Sequence, residues 1–176
     1  YKRQGFSMDQ VKSAYPELSI MRWIEEGCQT APDRCLLATV DACFAYGEVG
    51  QWTISLAQYF AKELGLGAGS TVVLCAPNIV HVLVVLSAAQ LLDVRVALFP
   101  PATGTAEFEC AVGLVGPQLI ISSDPCRFGE ARGVITDVRC MLTEGRDVGA
   151  PSVDEAMRRP IAGEVAFPNA SANAPI

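Results

Sequence analysis

Several features are scarce or missing in this 176-residue sequence: it has one histidine, no Cys-x-x-Cys pair and no run of basic residues. Structural zinc sites need closely paired Cys or His ligands, so a metal site is not expected. The 13 lysines and arginines cluster nowhere beyond Lys2-Arg3 and Arg158-Arg159, and the net charge is -6. This distribution argues against binding to nucleic acid or to an anionic membrane surface.

Charged residues are also few, at 18% against 51% hydrophobic, so the composition predicts a folded chain with one domain, or one domain and a fragment. The seven cysteines are an odd number, and several lie in apolar runs where a thiol behaves as a small hydrophobe. We therefore predict reduced cysteines and a cytoplasmic location. The first residue is Tyr1, and no signal segment follows it, which favours a native N-terminus further upstream.

The longest uncharged stretch, residues 64–92, exceeds the roughly 20 residues that a bilayer requires. Three glycines and Pro77-Asn78 divide it into a strand-like piece and a helix-like piece, each too short to span. The stretch therefore indicates a buried strand followed by an apolar helix, and no membrane segment is predicted.

The order of elements predicts an α/β fold with a mostly parallel sheet flanked by helices, because strands alternate with helices of suitable length. Ser7 and Gln10 indicate a short first helix. In the second helix, which ends near Thr30, Ile20, Trp23, Ile24 and Cys28 form one apolar stripe. A hairpin (36–40 and 43–46) and a long helix from Gly47 to Gly65 are predicted next. The later predictions are strands at 71–76, 95–99, 118–122 and 133–138, helices at 78–92 and 105–115, and a short capped helix from Ser152.

Four groups contain residue types that occur in catalytic or ligand-binding sites. Gly65, Gly67 and Gly69 suggest a dinucleotide loop, but they follow a helix and precede a strand, so a helix cap and turn is favoured. His81 has no second histidine or nucleophile motif to work with and is expected to be structural. The paired acids Glu25-Glu26 and Glu107/Glu109 are interpreted as solvated surface.

Ser122-Ser123-Asp124 follows a predicted parallel strand at its carboxyl end, where open α/β sheets tend to place ligands. Position alone is a weak indication. We therefore assign no catalytic, cofactor-binding or metal-binding residue in this chain.

Read together, eight segments resemble the N-terminal subdomain of the adenylate-forming superfamily, which includes acyl-CoA synthetases, fatty acyl-AMP ligases and the adenylation domains of nonribosomal peptide synthetases. The match is one of order and spacing over roughly Ser19 to Arg159. The segments are Trp23-Ile24-Glu25-Glu26, Pro32-Asp33-Arg34, Phe44 to Val49, Leu64 to Val73, Ala76-Pro77-Asn78, Ala88 to Pro100, Gly116 to Ile121 and Ser152-Val153-Asp154-Glu155. Departures occur at Ser70, Leu92-Asp93 and Pro100-Pro101, which are structural positions in the family.

The resemblance implies an incomplete first subdomain: an N-terminal arm (1–18), the α/β subdomain (19–165) and an irregular tail (166–176). In the family, a Ser/Thr- and Gly-rich loop ending in Lys holds ATP. The tail Pro168 to Ile176 lies about where that loop would begin, but has neither its glycines nor its lysine.

The resemblance therefore implies the N-terminal scaffold of an ATP-dependent ligase that activates a carboxylic acid as an acyl-adenylate. This chain alone would not be catalytically competent and would bind no cofactor, while a complete parent would use ATP and Mg²⁺ and pass the acyl group to CoA or a carrier protein. The expected partner is the remainder of the adenylation domain, or a protein that covers an apolar face. Two alternatives stay open: a naturally truncated, non-catalytic interaction module, and an unrelated flavodoxin-like small-ligand domain.

Overall fold

The computed structural model describes residues 20–147 and 150–161, which form six helices and eight strands. The helices are α1 (Ile20–Thr30), α2 (Tyr46–Lys62), α3 (Ile79–Leu91), α4 (Thr105–Val115), α5 (Cys126–Val134) and α6 (Val153–Met157). The strands are β1 (Cys35–Ala38), β2 (Cys43–Ala45), β3 (Thr71–Cys75), β4 (Arg95–Leu98), β5 (Leu119–Ser122), β6 (Arg139–Leu142), β7 (Arg146–Asp147) and β8 (Ala150–Pro151). The helix predicted at Ser7 and the tail from residue 166 lie outside the described residues.

The central element is a four-stranded parallel sheet in the order β4-β3-β5-β6. Because β3 pairs with both β4 and β5, the chain reverses direction across the sheet between β3 and β5. All five residues of β3 are buried, as expected for a strand covered on both faces. The predicted α/β class with a mostly parallel sheet is therefore confirmed.

Two apolar clusters cover the two faces of this sheet, and alternate residues of β3 enter different clusters. Val72 and Leu74 join the larger cluster with α1, α2, α3 and α6, whereas Val73 joins the smaller one with α4 and α5. In α2 most of the apolar side chains are buried, with Leu56 and Phe60 fully enclosed. Helices therefore pack on both faces of the sheet. The ends of the strands are the parts of the sheet that these helices leave uncovered.

Two sequence predictions are corrected by the packing. In α1, Ile24 is buried and Cys28 packs against the larger cluster, as predicted. Ile20 and Trp23 are exposed, and Met21 is buried in their place. The strand predicted at 133–138 is wrong, because this region holds the end of α5 and the turn before β6. The apolar period of α5 is weak because Gly129 and Gly133 interrupt it.

The hairpin predicted before the long helix is confirmed: β1 and β2 pair in antiparallel fashion with one irregularity in register. The prediction that all cysteines are reduced is wrong, since Cys35 and Cys43 form a disulfide across this hairpin with their Cα atoms 5.9 Å apart. The hairpin brings together two thiols separated by eight positions, a spacing that carries no sequence signature of its own. The other five cysteines carry thiols.

Candidate functional site

The carboxyl ends of β3, β4, β5 and β6 meet at one edge of the parallel sheet, and the four connections that leave it form the candidate functional site. In open α/β sheets, ligands bind at this edge near the point where the strand order reverses. Here that point lies between Cys75, at the end of β3, and Ser122, at the end of β5, which are paired in register. We call this region the carboxyl edge.

The segment Ser122-Ser123-Asp124 lies at the reversal point, but its polar groups are engaged locally. Ser122 is fully buried, and its Oγ accepts a hydrogen bond from the Asp124 backbone N–H at 3.0 Å. The Asp124 carboxylate accepts from the Cys126 backbone N–H at 2.9 Å, across the turn that leads into α5. These contacts explain the three-residue pattern as a strand-to-helix turn.

Arg127 is a buried cation at the carboxyl edge. Its guanidinium donates to Glu130 Oε2 at 2.8 Å, to the Pro101 carbonyl at 3.3 Å and to the Thr103 carbonyl, and it lies 4.9 Å from the centre of the Phe108 ring. A planar guanidinium can serve several acceptors at fixed angles in this way. Arg127 therefore clamps the loop between β4 and α4 and is already committed to protein acceptors.

Sequence reasoning missed this clamp, because an arginine in an ordinary helix gives no local sign of the loop it will hold. The nearest signal was the pair Pro100-Pro101, which departs from the family pattern at the same loop.

Cys75 is a second buried polar group at the reversal point. Its Sγ lies 3.7 Å from the Pro100 carbonyl oxygen, and burial raises the pKa of its thiol. A thiol with a raised pKa is a poor nucleophile at neutral pH, because the thiolate is the reactive form. Cys75 is therefore suited to packing and to a weak hydrogen bond.

His81 lies in the first turn of α3, immediately beyond β3, with its side chain 3% exposed. Its Nδ1 lies 3.7 Å from Glu144 Oε1 and its Nε2 lies 3.7 Å from Asp154 Oδ1. Burial lowers the pKa of His81, although both carboxylates act in the opposite direction. The imidazole on α3 therefore faces the turn after β6 through one ring nitrogen and α6 through the other.

The remaining sequence candidates lie apart from this edge. Gly65 and Gly69 have positive φ angles of 59° and 86° in the connection from α2 to β3, at the opposite edge of the sheet. Glu26 and Glu107 are exposed on helix surfaces, whereas Glu25 and Glu109 are half-buried.

Within residues 20–147 and 150–161, no group of three His, Cys, Asp or Glu side chains is arranged to hold a metal ion. Over the same residues, no helix has the length and apolar character needed to cross a bilayer.

The fold is similar to part of the solved structures of two larger proteins. O-succinylbenzoate coenzyme A synthetase (MenE) from Bacillus subtilis, in complex with ATP and magnesium, matches 82% of this chain with a TM-score of 0.64 and 19% identity. VinN in complex with L-aspartate matches 69% with a TM-score of 0.63 and 16% identity.

These matches cover only 36% of the MenE chain and 34% of the VinN chain, so the present chain spans about a third of the structures it resembles. The sequence matches no family model and no curated protein. The structural likeness therefore concerns the fold.

Proposed function

We propose that this chain is the N-terminal scaffold of a longer ATP-dependent ligase that activates a carboxylic acid as an acyl-adenylate. The observation that carries the proposal is the match to MenE, which extends over most of this chain but little more than a third of MenE. MenE has been solved with ATP and magnesium, with AMP and with an acyl-adenylate intermediate. Residues 19–165 would form the subdomain, with 1–18 as an arm and 166–176 as a tail.

In this proposal the chain supplies structure and leaves the chemistry to segments beyond it. The polar groups at the reversal point, Ser122, Asp124 and Arg127, are used for turns and for the loop clamp. A complete protein would therefore draw its ATP and Mg²⁺ ligands from other segments, and would pass the acyl group to CoA or to a carrier protein.

The carboxyl edge also carries apolar side chains that a further segment could cover. Ile79, the first residue of α3, is 53% exposed, and Leu98, the last residue of β4, is 52% exposed. Ile79 lies in the connection that follows β3, and Leu98 ends β4. Because β3 and β4 are neighbours in the sheet, both residues belong to the carboxyl edge. Large exposed apolar side chains grouped in this way are typical of a surface that packs against another part of a protein.

The test is ATP-pyrophosphate exchange by the complete protein against a panel of carboxylic acids, together with Ile79→Asp and Leu98→Asp. We expect exchange with at least one acid and a loss of tenfold or more in each variant, because a buried carboxylate would disturb the covering segment. Leu114→Asp is the matched control, since Leu114 is 84% exposed on α4, and we expect it to retain full activity. Absence of exchange with every acid would overturn the proposal.

The alternative of a non-catalytic interaction module is favoured by the same exposed pair, Ile79 and Leu98. The two proposals differ in the mass that they predict for the native protein. A band near 18.7 kDa, detected in the source with an antibody to this segment, would support the interaction module. A band several times larger would support the ligase proposal.

A further inference from the structure

Strand β4 lies at one end of the parallel sheet, and within residues 20–147 and 150–161 its outer side pairs with no other strand. The Arg95 and Phe99 backbone N–H groups donate toward β3, to carbonyl oxygens at 2.9 and 2.8 Å. Because backbone groups alternate in direction along a strand, the N–H and C=O groups of Val96 and Leu98 point away from β3. We call this outer row of hydrogen-bonding groups the free edge of β4.

The free edge does not have the features that usually protect an edge strand. Natural edge strands are blocked by a bulge, a proline or a charged side chain. The register of β4 against β3 is regular over all four residues, and Pro100 comes after the strand has ended. Arg95, the single charged residue of β4, donates its Nη2 to the Gly69 carbonyl at 3.1 Å, on the side of β3. The free edge is therefore suited to pairing with another strand.

The covering of the larger apolar cluster also ends at β4. Leu74 and Leu98 are paired in register and have side chains on the same face, yet Leu74 is fully buried and Leu98 is 52% exposed. On this face α3 packs on β4, and one stripe of α3 at i, i+3, i+4 and i+7 is exposed or half-buried. All four residues of the stripe are apolar: Ile79, Val82, Leu83 and Leu86. A helix that is apolar on all sides normally lies inside a core, so α3 and β4 together indicate a missing neighbour.

From these observations we propose that the free edge of β4 binds a β-strand from the part of the longer protein outside this chain, so that the sheet continues beyond β4. The inference rests on the proposed function in one respect, namely that a longer protein exists. The match to MenE spans 36% of that chain, so the remaining length is ample to supply such a strand. The added strand would pair with Val96 and Leu98 through main-chain hydrogen bonds.

The two faces of β4 define the kind of strand that fits. Val96 packs against the larger cluster, whereas Ala97 and Phe99 pack against the smaller one. A strand beside them would have apolar groups on both of its faces, and strands buried on both faces are apolar throughout. We therefore expect a short run rich in Val, Ile or Leu, without proline at the positions that donate to β4.

The first experiment measures amide hydrogen exchange at Val96 and Leu98 in the complete protein, by mass spectrometry with residue resolution. We expect both amides to exchange about a hundredfold or more slowly than in an unstructured peptide, because each donates to the added strand. Exchange of either amide within about tenfold of the unstructured rate would overturn the proposal.

A matched pair of variants separates strand pairing from simple coverage. Val96→Pro removes the outward N–H and leaves the hydrogen bonds to β3 in place, so the Leu98 amide should lose about tenfold or more of its protection. Val96→Ala keeps the N–H, and the Leu98 amide should stay protected. Equal protection of Leu98 in the two variants would overturn the proposal.

The second experiment identifies the partner and remains valid even if Val96→Pro does not fold. A photoreactive benzophenone side chain at position 98 of the complete protein should crosslink to a segment of the same molecule outside residues 1–176. Crosslinks confined to residues 1–176, or formed with a second copy or with another protein, would overturn the proposal.

Neither measurement requires catalysis, so the two proposals can fail separately. Protected amides in a protein without ATP-pyrophosphate exchange would overturn the ligase proposal alone. A native mass near 18.7 kDa would remove the source of the strand and overturn both.

Discussion

Substitution of Arg127 offers the sharpest test of how the carboxyl edge is held together. Arg127→Ala would remove the donors to Glu130, to Pro101 and to Thr103, and the guanidinium that lies over Phe108. The hydrogen bond to the Thr103 carbonyl is buried, and those to Pro101 and Glu130 are partly buried.

Hydrogen bonds that involve a charged group contribute about 1.5–3 kcal/mol when buried and less when water can replace them. The contact with the Phe108 ring adds about 0.5–1 kcal/mol. Allowing for water that enters the loop in the variant, we expect Arg127→Ala to lower the free energy of unfolding by about 3–4 kcal/mol. Urea denaturation followed by far-UV circular dichroism measures this difference directly.

Two further variants separate the clamp from the charge. Arg127→Lys keeps the charge but cannot serve several acceptors at fixed angles, so we expect a loss of about 2 kcal/mol. Arg132→Ala, on the exposed side of the same helix, should change stability by less than about 0.5 kcal/mol. A loss below about 1 kcal/mol for Arg127→Ala, or full stability in Arg127→Lys, would refute the reasoning.

Three other predictions concern the stability of the protein. Gly27→Ala should cost more than about 2 kcal/mol in urea denaturation, because a Cβ there would lie 2.1 Å from the Tyr46 ring. By contrast, Gly129→Ala has open space in α5 and should stabilise the protein by about 0.5–1 kcal/mol; equal effects at the two glycines would contradict this packing. Replacing both Cys35 and Cys43 with Ser should lower stability by about 2.5 kcal/mol, the chain-entropy value for so short a loop. A reducing agent should produce the same loss in the unaltered protein and none in the double variant, and a null result in both would argue against the disulfide.

Much of the fold could be predicted because the sequence carries strong local signals for it. The apolar run at residues 71–75 and the break at Pro77-Asn78 that follows it predicted β3 and the start of α3, and both are observed. The capping box of α6 was predicted from Ser152 and Glu155, whose side chains and backbone N–H groups exchange hydrogen bonds. Signals of this kind depend only on neighbours within a few residues.

The candidate site was much less predictable. Ser122-Ser123-Asp124 was correctly placed at the end of a parallel strand, but its hydrogen bonds turned out to serve the turn. His81 was predicted to be structural, yet nothing in the sequence indicated that Glu144 and Asp154 would face it. The orientation of α1 was misjudged for the same reason, since the exposed Trp23 is as apolar as the buried Ile24.

The sequence by itself therefore determined the order of strands and helices as far as β5, the parallel α/β class and the resemblance to adenylate-forming enzymes, because periodicity, caps and glycine turns act over short distances. Only the tertiary structure decided the Arg127 clamp, the Cys35–Cys43 disulfide and the two carboxylates at His81. Each of the three joins separate elements of the fold. The packing of the whole core fixes how the helices are placed on the sheet. That placement decides which side chains from separate elements come into contact.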